Sequence, residues 1–231
     1  EPLSGLRFGG HDRRQVCTRY AHWLADEAGT FDWVLRFGRF PVTRLLQSSL
    51  THIPTHLLVD RFGRWPDAQH RTTLHVIGDE AAVCAGLIER QPGTTGGSDV
   101  KRLCAIDAAL AAPEGCNAPP EARLLAALCA TLPDGARLFC GNSLPIRDLD
   151  ACSGSGANSL SFFANRGASG IDGNIATAAG IARSGPTVAV IGDLTTQHDL
   201  GSLALLQAQA LVVIVINNGG GGIFDLLPQA R

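Results

Sequence analysis

Short apolar runs alternate with amphipathic or Ala-rich stretches along this chain, and the alternation predicts its elements. In the first part, Arg14 to Ala28 reads as a helix and Trp33-Val34-Leu35-Arg36-Phe37 as a strand. Val42 to Leu50 follows as a helix, then His56 to Asp60 and Thr73 to Ile77 as strands. In the second part, a helix from Glu121 to Leu132 starts after Pro119-Pro120 and stops at Pro133-Asp134-Gly135, both ordinary boundary signals. Ala136 to Cys140, Ser161 to Phe163, Val188 to Ile191 and Leu211 to Ile216 are strands. Asn174 to Ala182 is an Ala- and Gly-rich helix that can pack closely, and Asp199 to Gln209 is a crossover helix. This grammar predicts the α/β class, with two parallel-sheet domains covered by helices. Gln91 to Ser98 is the linker candidate, so the expected domains are residues 1–95 and 96–231. A second flexible patch is expected over Ala112 to Pro120.

Composition narrows the class. With 231 residues, 45% of them hydrophobic, the chain can bury the core of one large or two small domains. A net charge of −2 gives no reason to expect nucleic acid or an anionic membrane as partner. Seven cysteines occur, with no CxxC pair; they read as reduced, mostly buried thiols of a cytoplasmic protein. No signal peptide or apolar stretch of about 20 residues is present. The chain begins at Glu1, has no Met, and stops at Arg231 soon after its richest motif, so both ends are expected to be cut from something longer.

That motif begins at Val188-Ala189-Val190-Ile191-Gly192-Asp193-Leu194 and resumes at Asn217-Asn218-Gly219-Gly220-Gly221-Gly222. One βαβ crossover separates the two halves, which places Asp193 and Asn218 past the carboxyl ends of neighbouring strands. Open α/β sheets bind ligands at that edge. Mg²⁺ takes about six oxygens at roughly 2.0–2.1 Å. The Asp193 carboxylate, the Asn218 amide oxygen and a backbone carbonyl near Gly220 would supply three, and phosphate oxygens and water the rest. Glycines let the backbone approach phosphate without a clashing Cβ, and a helix start near Thr195–Asp199 would add N–H dipoles. Either half alone would be two ordinary turns; it is the pair, at this interval, that specifies a site.

The pair resembles the thiamine-diphosphate motif, which runs Gly-Asp-Gly to Asn-Asn. Here Leu194 stands at the third position and the interval is slightly short. Further stretches are Gly141-Asn142-Ser143-Leu144-Pro145-Ile146-Arg147-Asp148, Asn165-Arg166-Gly167-Ala168-Ser169-Gly170-Ile171-Asp172-Gly173, Asp199-Leu200, Gly221-Gly222-Ile223-Phe224 and Leu227-Pro228-Gln229. With these, and with Pro2 to Arg7 and Trp33 to Pro41, the chain resembles the MenD family, the 2-succinyl-5-enolpyruvyl-6-hydroxy-3-cyclohexene-1-carboxylate synthases of menaquinone biosynthesis. In that family Leu commonly follows Gly-Asp.

The resemblance implies a transferase that uses thiamine diphosphate with Mg²⁺ or Mn²⁺ and joins 2-oxoglutarate, with loss of carbon dioxide, to isochorismate. It implies metal binding by Asp193, Asn218 and Gly220. Ser143, Ser169, Gly170, Ile171, Gly192, Leu194, Gly221 and Ile223 would line the cofactor, with Ile171 beneath it. Asn142, Ser143, Arg147 and Arg166 would meet the dicarboxylate substrates; the two arginines are expected in loops following strands, and planar guanidinium groups suit carboxylates. It also implies a homodimer or homotetramer, with the site completed by a neighbour's amino-terminal domain. That domain is not expected in these residues, so the isolated fragment is expected to be inactive. A noncatalytic module retaining a diphosphate site, and another thiamine-diphosphate 2-oxoacid decarboxylase, are the alternatives.

The remaining polar residues carry less. His52 and His56 flank Pro54 and read as structural, and His198 could approach the cofactor or face solvent. Arginines 36, 39, 44, 61, 64 and 71 would form an anion patch or a solvated face. No G-x-G-x-x-G follows a strand to suggest a dinucleotide fold.

Overall fold

Residues 17–39, 42–90, 98–110, 118–152, 159–207 and 210–227 are described by a computed structural model. They form two parallel sheets in two compact units, Arg19–Leu110 and one that takes in Ala111–Arg231. The fold class is α/β, as the alternation predicts. The linker over residues 91–97, the patch over 112–117, and the resembling stretches at Pro2 to Arg7, 40–41 and 228–229 lie outside the described residues.

In the first unit, β1 (Trp33–Phe37), β2 (Thr55–Val59) and β3 (Leu74–Val76) run parallel in that order. α1 (Leu24–Glu27), α2 (Arg44–Leu50), α3 (Glu80–Arg90) and α4 (Ser98–Ala109) accompany them. The single helix expected from Arg14 to Ala28 is instead two 3-10 turns, Tyr20–His22 and Ala28–Thr30, either side of α1. Trp23 breaks the run at φ −135, with its indole Nε1 donating to Asp107 Oδ1 at 3.0 Å. The expected boundary fell between residues 95 and 96; the compact unit runs on to Leu110. α4 is held there by Asp107 and by Arg102, whose guanidinium donates to both Glu27 oxygens at 2.7 and 2.8 Å.

Several of the arginines read as either an anion patch or a solvated face are tied locally. Arg36 is buried and donates to the Pro66 carbonyl at 2.7 Å. Arg61 pairs with Asp79 and Glu80, Arg64 with buried Asp60, and Arg71 donates to the Thr51 carbonyl. His56 is buried with Nε2 against the Leu50 and Ile53 carbonyl oxygens, both at 3.0 Å, a structural role as expected.

In the second unit, β4 (Arg137–Cys140), β5 (Ser161–Phe163), β6 (Thr187–Gly192) and β7 (Leu211–Ile216) form one parallel sheet in the order β5-β4-β6-β7. The chain leaves β4 to one side for β5, then returns to β4's other side for β6. The gap between the carboxyl ends of β4 and β6 is therefore a topological switch point, where such sheets bind ligands. α5 (Pro120–Thr131) and α6 (Leu144–Cys152) pack together, burying Ala122, Leu125, Cys129, Ile146 and Leu149. α7 (Asn174–Ala182) covers a core of Phe139, Ile175, Ala178, Ala189 and Ile191. Burial pushes the Cys129 thiol up to about 12 and Cys140 well above its ordinary range, which makes both small core residues rather than nucleophiles.

Two expectations in this unit fail. The crossover helix does not begin at Asp199: α8 (Asp193–His198) starts directly from β6, and a 3-10 turn follows over Leu200–Leu206. Asp193 is thus the first residue of a short helix, with the Leu194 N–H donating to its Oδ1 at 2.8 Å. Arg147 is not in a loop either, because Leu144 to Cys152 is α6. The apolar positions Ile146 and Leu149 recur at helical spacing and are both buried, but the Pro145 beside them reads as a loop signal. Proline is tolerated in a first helical turn, where its missing N–H has no partner to lose.

Candidate functional site

A cavity of about 220 Å³ opens at the switch point. Ser143, Leu144, Pro145 and Asp148 line it from beyond β4, and Gly192, Asp193, Leu194 and Thr195 from beyond β6. Ile216, Asn218, Gly221, Gly222, Ile223 and Phe224 line it from β7, and Ile171 and Glu121 complete it.

Strand register explains the meeting. Cys140 pairs with Val190, and Gly192 with Ile216, so all three strands deliver their last residues to one edge. Gly141 makes the closest approach. Its N–H donates to the Val190 carbonyl at 2.8 Å, and a Cβ there would lie 3.2 Å from the Ile191 Cα. Any larger residue there would push against the β6 backbone.

The two halves of the motif touch. A Cβ on Gly220 would meet the Leu194 side chain at 3.3 Å, and one on Gly222 would meet Asn218 Nδ2 at 3.0 Å and Leu144 at 3.3 Å. Gly219, Gly220 and Gly221 all have φ between 71° and 83°, a left-handed path that side chains resist. The asparagines divide the work: Asn217 Oδ1 accepts the Gly219 N–H at 3.2 Å, closing the turn, while Asn218 faces the cavity. A carboxylate, an amide and a bare glycine backbone on one concave wall suit a hard cation and a diphosphate. Among the described residues no group of three His, Cys, Asp or Glu could hold a metal, so any cation here takes amide or carbonyl oxygens as well. The residues present fit that requirement.

Ser143 is in the left-handed region at φ +75, uncommon for a residue with a Cβ. Its carbonyl accepts from Arg147 Nη1 at 2.6 Å. Arg166 Nη1 donates to Asn142 Oδ1 at 2.8 Å. Burial and the nearby Arg166 hold the Arg147 guanidinium below its ordinary value, partly offset by Asp148. The structure thus brings Ser143, Ile171, Gly192, Asp193, Leu194, Asn218, Gly221 and Ile223 to the cavity wall. Asn142, Arg147, Arg166, Ser169, Gly170 and Gly220 lie off that wall. His198 is exposed, with Nδ1 3.1 Å from Asp172 Oδ1.

Two carboxyls in the cavity escaped sequence reasoning. Burial first, then the Glu121 carboxylate, push the Asp148 carboxyl up to about 6, against the opposing effect of Arg147. The available signal was helical spacing, since Leu144 and Asp148 are one turn apart on one face of α6.

No protein-family model matches the chain. Curated relatives do. The 2-succinyl-5-enolpyruvyl-6-hydroxy-3-cyclohexene-1-carboxylate synthase of Dechloromonas aromatica is 51% identical over 236 residues, covering 99% of this chain and 43% of that protein. The enzymes of the same name from Natronomonas pharaonis and Bacillus cytotoxicus are 40% and 34% identical, over 40% and 41% of their lengths. The chain therefore spans about two fifths of these relatives. Across that portion it groups by sequence with the 2-succinyl-5-enolpyruvyl-6-hydroxy-3-cyclohexene-1-carboxylate synthases, the MenD family.

Proposed function

We propose that this chain is the metal- and diphosphate-binding part of a thiamine-diphosphate synthase of menaquinone biosynthesis, one that decarboxylates 2-oxoglutarate and adds the product to isochorismate. The observation that carries the reading is the convergence of Asp193, Asn218 and the glycine turn on one cavity. Thiamine diphosphate supplies the electron sink that lets a 2-oxo acid lose carbon dioxide.

The protein's own work is binding and orientation. Asp193, Asn218 and the Gly220 carbonyl hold Mg²⁺ or Mn²⁺. Gly192, Leu194, Gly221 and Ile223 shape the diphosphate wall, with Ser143, Ser169 and Gly170 alongside. Ile171, exposed at the cavity, supports the cofactor ring from one side. Arg147 and Arg166 present two positive charges to substrates that carry carboxylates at both ends. An amino-terminal domain from a neighbouring subunit, as the family resemblance implies, completes the site.

Calorimetry tests the reading. The purified chain should bind thiamine diphosphate in the presence of Mg²⁺, and Asp193→Ala should weaken that binding at least about tenfold, the loss of one charged metal ligand. No heat from the unmodified chain, or equal binding by the variant, would overturn it. A second reading, binding without turnover, draws on the chain's 40–43% share of its relatives. It expects cofactor binding by the 231 residues but no carbon dioxide release from 2-oxoglutarate. Steady release would dismiss it.

A further inference from the structure

Asn142 lies just off the cavity wall, after Gly141, and is only 6% exposed. Its amide is engaged at both ends. Nδ2 donates to the Gly170 carbonyl at 2.9 Å, and Oδ1 accepts from Arg166 Nη1 at 2.8 Å. The partners fix the amide's orientation, because a carbonyl requires a donor and a guanidinium an acceptor. The Gly170 carbonyl takes a second amide donor, Asn174 Nδ2 at 3.1 Å. Gly170 is bonded to Ile171, which does line the cavity. One buried side chain therefore joins an arginine outside the cavity to the segment that forms one of its walls.

We propose that Asn142 is a positioning residue that locks the Arg166 guanidinium and the Gly170–Ile171 segment to one another. Its neutrality matters. An amide oxygen orients the guanidinium without adding a charge of its own. The amide nitrogen meanwhile anchors the carbonyl beside Ile171, which a carboxylate would repel. The consequence for substrate binding rests on the function proposed above; the linkage itself does not.

Backbone nitrogen order parameters at Gly170 and Ile171 of the full chain test the linkage. Asn142→Ala should lower both to values typical of flexible backbone, below about 0.6, while α5 stays rigid. Arg166→Ala should also lower them, but should add little in the Asn142→Ala background, because both act through one amide. Unchanged order parameters in Asn142→Ala, or fully additive effects, would overturn the proposal. Should Asn142→Ala not fold, Asn142→Asp tests the same link. It should keep the Arg166 contact, read by the guanidinium nitrogen resonances, yet free the segment; order parameters unchanged at Gly170 and Ile171 would refute the link. Calorimetry with Mg²⁺ and thiamine diphosphate on the unmodified chain reports separately on the function. Absence of heat there would sink that reading and leave the order-parameter result intact.

Discussion

Asp148 sits among the residues that line the cavity, and its one mark in the sequence is its helical spacing from Leu144. Its carboxyl is raised to about 6 by burial and by Glu121, against about 3.9 for an unperturbed aspartate. The sign follows from linkage. Ionising it is harder in the folded chain than in the unfolded one, so its contribution to stability is fully present below about pH 4 and is lost as pH rises towards about 6. Asp148→Asn should therefore unfold at higher urea concentration than the unmodified chain at pH 7, and should flatten the fall in stability between about pH 4 and 6. Equal midpoints for the two proteins at both ends of that window would contradict this. Gly222 gives a second residue-scale test. It lacks the positive φ of its neighbours, so its need for glycine comes from space alone: a Cβ would press on Asn218 Nδ2 at 3.0 Å. Gly222→Ala should weaken Mg²⁺-dependent cofactor binding about tenfold, roughly 1.4 kcal/mol, with little change in thermal midpoint. Unaltered affinity by calorimetry would show that Asn218 can yield without cost.

At the scale of elements, legibility followed local apolar pattern. β1, β5, β7 and α7 stand where periodicity put them, because each is specified by its own run of apolar or Ala-rich positions. The crossover after β6 was misread because Asp199 resembles a helix start, and it does cap a helix, but a different one. Its Oδ2 accepts the Ile175 N–H at 2.6 Å and the Ala176 N–H at 3.4 Å, at the start of α7. Its Oδ1 accepts from Ser202 Oγ at 2.6 Å. Gly173, at the cap position of α7, has no side chain to do this, so the cap is supplied from 24 residues away, where no local pattern reveals it. Asp199→Ala should cost about 1–2 kcal/mol in urea unfolding. A loss below a few tenths would mean that water replaces the carboxylate. The site was legible for a related reason. Asp193, Asn218 and Ser143 follow strand ends, and strand ends were readable; Glu121 and Asp148 reach the same cavity from helices whose facing depends on tertiary packing.

On the scale of the whole molecule, the apolar surface of the second unit is large and unevenly placed. Phe224 and Leu226 are 63% and 65% exposed, and Leu194, Leu227 and Ile171 are exposed beside them. Among the described strands β7 has a neighbour on one side only, and Val212 and Val215 on it are exposed. Soluble monomers rarely leave so much apolar surface uncovered, and an apolar strand with an open edge invites pairing with another chain. The 231 residues should therefore self-associate in a concentration-dependent way. Sedimentation should show species heavier than the 24.2 kDa monomer that grow with loading. Two substitutions separate the possible causes. Val212→Lys puts a charge on the open strand and should suppress association driven by strand pairing. Phe224→Ser should suppress association through the cavity rim while leaving the strand untouched. A single monomeric boundary at every concentration for the unmodified chain would show that this surface is tolerated bare.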